Sequence, residues 1–314
     1  MNSKNHTTGR REKHGTDRPD VCGPSLKVQR IFTLRLREDS AFDGIIGVMT
    51  DILFDKYQGA GNDFIIIDDR GGGFVPGDSD LIRRLCDRRF GVGADGLILV
   101  SLHDRADFEM KYFNADGRLG SMCGNGARCA AHFALKKGIA GPKPRFQTYD
   151  GIHEAEISGD TVRLRIADVV GYRMLEGNYF IDTGSPHYVV FTAALDTMDV
   201  DAEGRKLRWS PLFAPGGANV NFVETTSDGL YVRTFERGVE AETWACGTGV
   251  TAAAIASALL GLSNQGPVSV RTRGGDLKVE FDIQADRITD IWLTGPATFV
   301  FEGTIAASRG SFSS

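Results

Sequence analysis

The tetrad Cys-Gly-x-Gly occurs twice, as Cys123-Gly124-Asn125-Gly126 and as Cys246-Gly247-Thr248-Gly249. Each copy opens an alanine-rich stretch, residues 127–135 and 250–260, with the pattern of a helix that has no charged face. A helix apolar on every side is stable only when other elements cover it all round. Each copy also follows a strand-like run ending in Phe and a polar residue, Phe113-Asn114 and Phe235-Glu236. The chain is therefore expected to contain two versions of one unit, each a strand-rich, barrel-like sheet wrapped around a central helix. That is an α+β fold of two pseudo-symmetric halves, with a thiol at the start of each helix and the site in the cleft between them.

The rest of the pattern agrees. Short apolar or alternating runs bounded by Gly, Asp and Asn read as strands at residues 52–57, 64–68, 97–101, 108–113, 146–149, 152–157 and 162–166. A second set follows at 179–183, 188–191, 220–224, 230–235, 268–273, 277–283, 291–294 and 298–301. Residues 78–89 read as a helix with Leu81, Ile82 and Leu85 on one face. The division expected is 51–167 for the first half, joined by the final strand at about 297–307, and 168–296 for the second.

At 314 residues there is room for two ordinary domains. Charged residues at 25% and a net charge of -5 give no reason to expect nucleic acid or an anionic membrane as partner. No apolar run approaches the roughly 18 residues of a spanning helix. The five cysteines, Cys22, Cys86, Cys123, Cys129 and Cys246, form no Cys-x-x-Cys, and the six histidines do not cluster with them. Neither a disulfide framework nor a zinc site is expected, and a reducing cytoplasm is the natural home. Residues 1–50 are polar and weakly periodic, with Asp17, Asp20, Glu38 and Asp39 against an import peptide. They read either as a disordered leader or as a start assigned too early, since Met49 directly precedes the first strand.

A cysteine at a helix N-terminus faces unpaired backbone N–H groups and the positive end of the helix dipole. Such surroundings can bring a thiol from about 8.5 down to roughly 3.5–7.5, and the same N–H groups suit a carboxylate. Two of them facing each other would trap an α-carbon between two sulfurs. One thiolate removes the α-proton and the opposite thiol delivers another, which inverts the centre. Cys86 and Cys129 lie among apolar neighbours and read as packing residues.

Further motifs accompany the thiols. They are Gly59-Ala60-Gly61-Asn62-Asp63-Phe64, Gly91-Val92-Gly93-Ala94-Asp95-Gly96, Phe113-Asn114-Ala115-Asp116-Gly117 and Met122-Cys123 running to Cys129. The second half carries Thr183-Gly184-Ser185-Pro186-His187, Asn219-Val220-Asn221-Phe222, and Glu236-Arg237-Gly238 running on to Cys246-Gly247-Thr248-Gly249. In this order and spacing, from about residue 52 to residue 303, the chain resembles the diaminopimelate epimerase family.

The resemblance implies a cofactor-independent, metal-free interconversion of LL- and meso-diaminopimelate on the way to lysine, and is compatible with a homodimer. It implies that Cys123 and Cys246 are base and acid, exchanging roles with direction. Gly124-Asn125 and Gly247-Thr248 would hold the reacting carboxylate through backbone N–H groups, and Glu236 the reacting ammonium. Arg237 offers a planar fork for the distal carboxylate, and Asn62, Asn114 and Asn219 match the family's substrate-contacting amides. Ser185 stands where many members have Asn, and Gly96 where some have Gln, so distal contacts differ here. His187 would either bind substrate or serve as a hydrogen-bonded structural residue. Three other readings stay open: a proline-type racemase of the same fold, a redox protein with a Cys123–Cys246 disulfide, and a non-catalytic amino-acid-binding protein.

Overall fold

The computed structural model describes residues 51–74, 78–120, 122–264 and 266–306. The expected leader, residues 1–50 with Cys22, lies outside the described residues. Strands dominate the first half: β1 (Asp51–Gly59), β2 (Asn62–Asp68), β3 (Gly96–Ser101), β4 (Phe108–Asn114), β5 (Arg145–Thr148), β6 (Gly151–Ser158) and β7 (Thr161–Arg165). Then come β8 (Val169–Val170), β9 (Arg173–Leu175), β10 (Asn178–Asp182), β11 (Pro186–Phe191), β12 (Asn219–Thr226), β13 (Gly229–Glu236) and β14 (Ala241–Thr243). Last are β15 (Val268–Thr272), β16 (Gly275–Gln284), β17 (Arg287–Pro296) and β18 (Thr298–Ala306). The α-helices are α1 (Ser79–Cys86), α2 (Gly124–Lys136), α3 (Val200–Arg208) and α4 (Gly247–Leu259).

Two helices are enclosed by strands, as their composition requires. Helix α2 packs against β1 to β4, β6, β7, β17 and β18, and α4 against β10 to β13, β15 and β16. Nearly all of α4 from Gly247 to Ser257 is buried, and α2 is buried from Gly124 to Ala131. The wrap is open: pairing runs from β18 through β1 and β2 to β7, on through β17 back to β9, and no pairing among the described residues closes either half into a ring. The halves join where β7 pairs with both β6 and β17.

Strand alternation explains the layers. In register, Phe64 faces Gly96 and Gly96 faces Asn114, while Ile66 faces Ile98 and Ile98 faces Tyr112. These even-numbered positions look toward α2, whereas Ile65, Leu97, Leu99 and Phe113 form a separate apolar layer with Ile82 and Leu85 of α1. Helix α1 is shorter than the pattern at 78–89 suggests. Asp87 ends it, its carboxylate accepting from Arg89 N and Phe90 N at 2.7 and 2.8 Å to form a turn.

Helix α3 gave no sequence signal because it is short, polar and interrupted by Gly204. Asp199 caps it by accepting from Ala202 N at 3.0 Å. The glycine is required there, since a Cβ would fall 2.3 Å from that of Phe235.

Candidate active site

Cys123 and Cys246 are the N-cap residues of α2 and α4, with nearly identical backbone angles of φ -109°, ψ 112° and φ -114°, ψ 109°. The two helices meet start to start. A Cβ on Gly247 would lie 3.8 Å from the Gly124 Cα and 2.9 Å from Leu293 Cδ2, and one on Gly124 would lie 3.6 Å from the same Leu293 atom. Leu293 of β17 thus forms the floor beneath both glycines. The geometry brings together two thiols and two sets of free helix N–H groups.

The expected acidity of these thiols is not what the site produces. Burial pushes Cys123 up to about 11, with the Glu236 charge adding to the rise and the Gly126 and Asn125 N–H groups opposing it. Cys246 is pushed up further, first by burial and then by Glu236, against Thr248 and the Gly249 N–H. Loss of water costs the thiolate more than a helix terminus returns, so both sulfurs are protonated in the free site. Cys86 and Cys129 are buried in the core, and burial raises each to about 12. They are inert packing residues.

His187 is fully buried and holds a polar chain behind Cys246. Asn221 Nδ2 donates to His187 Nδ1 at 3.1 Å, while Asn221 Oδ1 accepts from Thr234 at 3.0 Å. That leaves the ring proton on Nε2, which donates to Thr248 Oγ1 at 2.9 Å. The Thr248 hydroxyl proton is then free to point at Cys246 Sγ, 3.5 Å away. Thr183 Oγ1 donates to the Thr248 carbonyl at 2.9 Å. Burial pushes His187 down to about 3, with Asn221 opposing and Arg237 assisting. A neutral imidazole therefore acts here through Thr248.

A second network lies behind Cys123. Arg128 has no exposed surface and no carboxylate partner among the described residues. It donates to Asn125 Oδ1 at 2.8 Å, to Pro296 O at 3.3 Å and to Gly124 O at 3.4 Å. Asn125 Nδ2 donates in turn to Asn62 Oδ1 at 2.5 Å and to Ala245 O at 3.0 Å. Asn62 donates to Asp95 at 3.1 Å. Arg88 reaches both Asp63 and Asp95, at 2.6 and 2.7 Å, and Lys56 reaches Asp63 at 2.7 Å. Although burial works against it, hydrogen bonds from Arg88 and Lys56 hold Asp63 down to about 2.

The third cluster is built on Asn219, which is buried and fully occupied. Its Nδ2 donates to Ser185 Oγ at 3.0 Å and to Pro186 O at 3.1 Å, and its Oδ1 accepts from Arg237 N at 2.7 Å. The Arg237 side chain is exposed and reaches Ser185 Oγ at 3.5 Å. Asn219 therefore has no donor left for a ligand and instead sets the positions of Ser185 and Arg237. Glu236, half-buried at the end of β13, is felt by both thiols, and burial followed by Asp95 raises its own carboxyl. Asn114 is exposed at the end of β4.

Comparison with known proteins decides the family. The diaminopimelate epimerase family model matches residues 54–170 and 179–300. The diaminopimelate epimerase of Flavobacterium psychrophilum is 47% identical over 252 residues, covering 80% of this chain and 98% of that protein. That of Chlorobaculum tepidum is 46% identical over 258 residues, covering 79% and 99%. This chain belongs to the diaminopimelate epimerase family.

Solved structures of lower identity share the fold. A Bacillus anthracis protein of the PhzF phenazine biosynthesis family superposes with TM-score 0.66 at 17% identity, over 82% of this chain and 99% of that one. A probable proline racemase from Agrobacterium radiobacter gives 0.61 at 15%, over 83% and 94%. Both support the two-domain, strand-rich α+β fold of diaminopimelate epimerases.

Sequence reading missed two residues of the networks behind the thiols of this diaminopimelate epimerase, Arg128 and Asp95. The signal for Arg128 was a lone charge in an otherwise apolar helix. Asp95 lay inside a quoted motif.

Proposed function

We propose that this protein interconverts LL-2,6-diaminopimelate and meso-2,6-diaminopimelate, an isomerisation on the way to lysine, by proton transfer between Cys123, the α-carbon and Cys246. The observation that carries the reading is the meeting of two Cys-capped helices at Gly124 and Gly247. The reacting carboxylate would lie against the N–H groups of Gly124, Asn125, Gly247 and Thr248, at the positive ends of both helices. In the LL direction the Cys123 thiolate takes the α-proton, and charge moves into the carboxylate, where those donors stabilise it. The Cys246 thiol protonates the opposite face and ends as a thiolate, stabilised by the Thr248 hydroxyl. The reverse direction exchanges the two roles, so the proton balance closes.

One thiol must release its proton to water before the first step. Glu236 raises both, so pairing it with the substrate ammonium lowers the cost of a thiolate just as substrate arrives. Arg237 and Ser185, set by Asn219, take the distal carboxylate, with Asn62 and Asn114 flanking the chain of the substrate. No group of three or more His, Cys, Asp or Glu residues suited to a metal occurs among the described residues, and the proposed steps use protein groups alone. The same reading makes the protein a cytoplasmic homodimer. It divides the chain into 51–167 with the strand at about 297–307, and 168–296. Antiparallel pairing of β18 with β1 supports that division, and among the described residues no helix is long and apolar enough to cross a membrane.

The test is incubation with LL-diaminopimelate in heavy water. Deuterium should enter at the α-carbon as configuration inverts, and Cys123→Ala or Cys246→Ala should abolish inversion. A redox protein would exchange nothing, and a proline-type racemase would exchange proline and ignore diaminopimelate.

A further inference from the structure

Gly96 removes a side chain from the rim of the site, and the structure fills that space from the neighbouring strand. A Cβ at residue 96 would fall 2.4 Å from Tyr112 Cε2 and 2.9 Å from its hydroxyl oxygen. On the other side, a Cβ at residue 120 would fall 2.5 Å from Tyr112 Cδ1 and 2.7 Å from Cε1. Two glycines thus form a slot that admits one aromatic ring. Phe64 closes its end edge-on, with ring centroids 6.0 Å apart at 78°.

The slot opens toward the reacting thiol. Tyr112 and Asn114 are two residues apart on β4 and so share a face, the one turned to α2. On that face Phe64, Ile98 and Met110 lie 3.5, 3.2 and 3.4 Å from where a Cβ on Gly126 would stand, three residues after Cys123. Gly96 is bonded directly to Asp95, the partner of Asn62. Tyr112 is half-buried, yet its hydroxyl makes no hydrogen bond to any described residue. The oxygen is not sealed from solvent, since the buried unpaired side-chain atoms among the described residues are Asp55 Oδ2 and Thr243 Oγ1, so it is open to a ligand's donor.

We propose that Tyr112 contacts the substrate in this epimerase, its phenol oxygen accepting a hydrogen bond from a substrate ammonium. The proposal rests on the diaminopimelate reading above. An ammonium is the complementary group because the acids nearby are Asp95 and Glu236. Burial, and then the charges of Cys123, Asp95 and Glu236, raise the phenol well above its ordinary value. It therefore stays neutral and takes no part as a base.

Tyr112→Phe tests this directly, since the ring keeps its slot and only the hydroxyl is lost. The expected result is a five- to thirtyfold fall in kcat/KM for diaminopimelate, roughly one hydrogen bond to a charged group, with an unchanged melting temperature. Wild-type kcat/KM in Tyr112→Phe overturns the proposal. Failure of the wild-type protein to invert diaminopimelate would instead remove the functional reading itself, so the two failures are distinguishable.

Discussion

Asn125 Nδ2 donates to the carbonyl of Ala245 over 3.0 Å, and so fastens the first residue after one Cys-Gly pair to the residue just before the other. The bond crosses between the two helix starts. Its orientation is fixed from behind by Arg128, which donates to the side-chain oxygen Asn125 Oδ1 at 2.8 Å. The spacing of the two sulfurs therefore depends on one buried guanidinium.

Replacing Arg128 with Met should separate those tasks. The variant keeps an apolar stem but leaves Asn125 Oδ1 and Pro296 O without the guanidinium donor, while Gly124 O keeps its helix bond to the backbone N–H of residue 128. Orphaned buried acceptors cost about 1–3 kcal/mol each, partly offset by no longer burying an unpaired cation. A net loss of roughly 2 kcal/mol in urea denaturation is expected, with at least a tenfold fall in kcat because small misplacements of catalytic groups are expensive. Arg128→Lys should not rescue kcat, since an ammonium cannot reproduce the planar fork. Retention of wild-type kcat in either variant would contradict the role.

His187 makes stability depend on pH in a defined direction. Its folded value is about 3, below the ordinary value near 6.5, so the unfolded chain binds the extra proton between those limits. Stability is therefore complete above about pH 6.5 and is lost progressively as pH falls toward 3. The ceiling on this contribution is on the order of 5 kcal/mol. Wild-type protein should lose stability between pH 7.5 and pH 5, and His187→Gln should lose measurably less over the same interval while starting lower. Parallel curves for the two proteins would remove His187 as the cause.

What could be read in the sequence, and what could not, follows from how local each feature is. The helices beginning at Cys123 and Cys246 were legible because duplication and an all-apolar pattern are properties of contiguous residues. The fold class followed from the need to enclose them. The thiol acidity was not legible: it depends on Glu236 and on the water that folding removes, both distant in sequence. Asn219 matched a family amide, yet its side chain is spent on Ser185, Pro186 and Arg237. Tyr112 escaped notice because its meaning depends on Gly96 and Gly120, which lie in a different strand and a loop.

Gly249 should tolerate no side chain. A Cβ there would fall 2.2 Å from Asn221 Oδ1 and 3.3 Å from Thr234 Oγ1, within the chain that fixes the His187 ring. Gly249→Ala is expected to cost roughly 1–3 kcal/mol by overpacking and to lower kcat through Thr248 and Cys246. Gly138→Ala is the control for substitution at a glycine with open space around it, although its φ of +67° adds backbone strain. Loss of stability in Gly249→Ala with kcat unchanged would separate the polar chain from catalysis.

Glu236 should govern the ionisation of both thiols. Its charge stands second only to burial in raising Cys246, and it raises Cys123 as well, whose value reaches about 11. In the free enzyme, alkylation of Cys123 by iodoacetamide should therefore accelerate with pH and show its inflection above the ordinary thiol value of about 8.5. In Glu236→Gln the inflection should move down, because the neutral amide no longer opposes the thiolate. Turnover should move the other way: kcat/KM should fall by at least tenfold, since the substrate ammonium loses its charge partner. A more reactive thiol in a slower enzyme is the expected signature. An inflection that stays in place in Glu236→Gln would mean that burial alone holds the thiols protonated, and that substrate binding must trigger ionisation by another route.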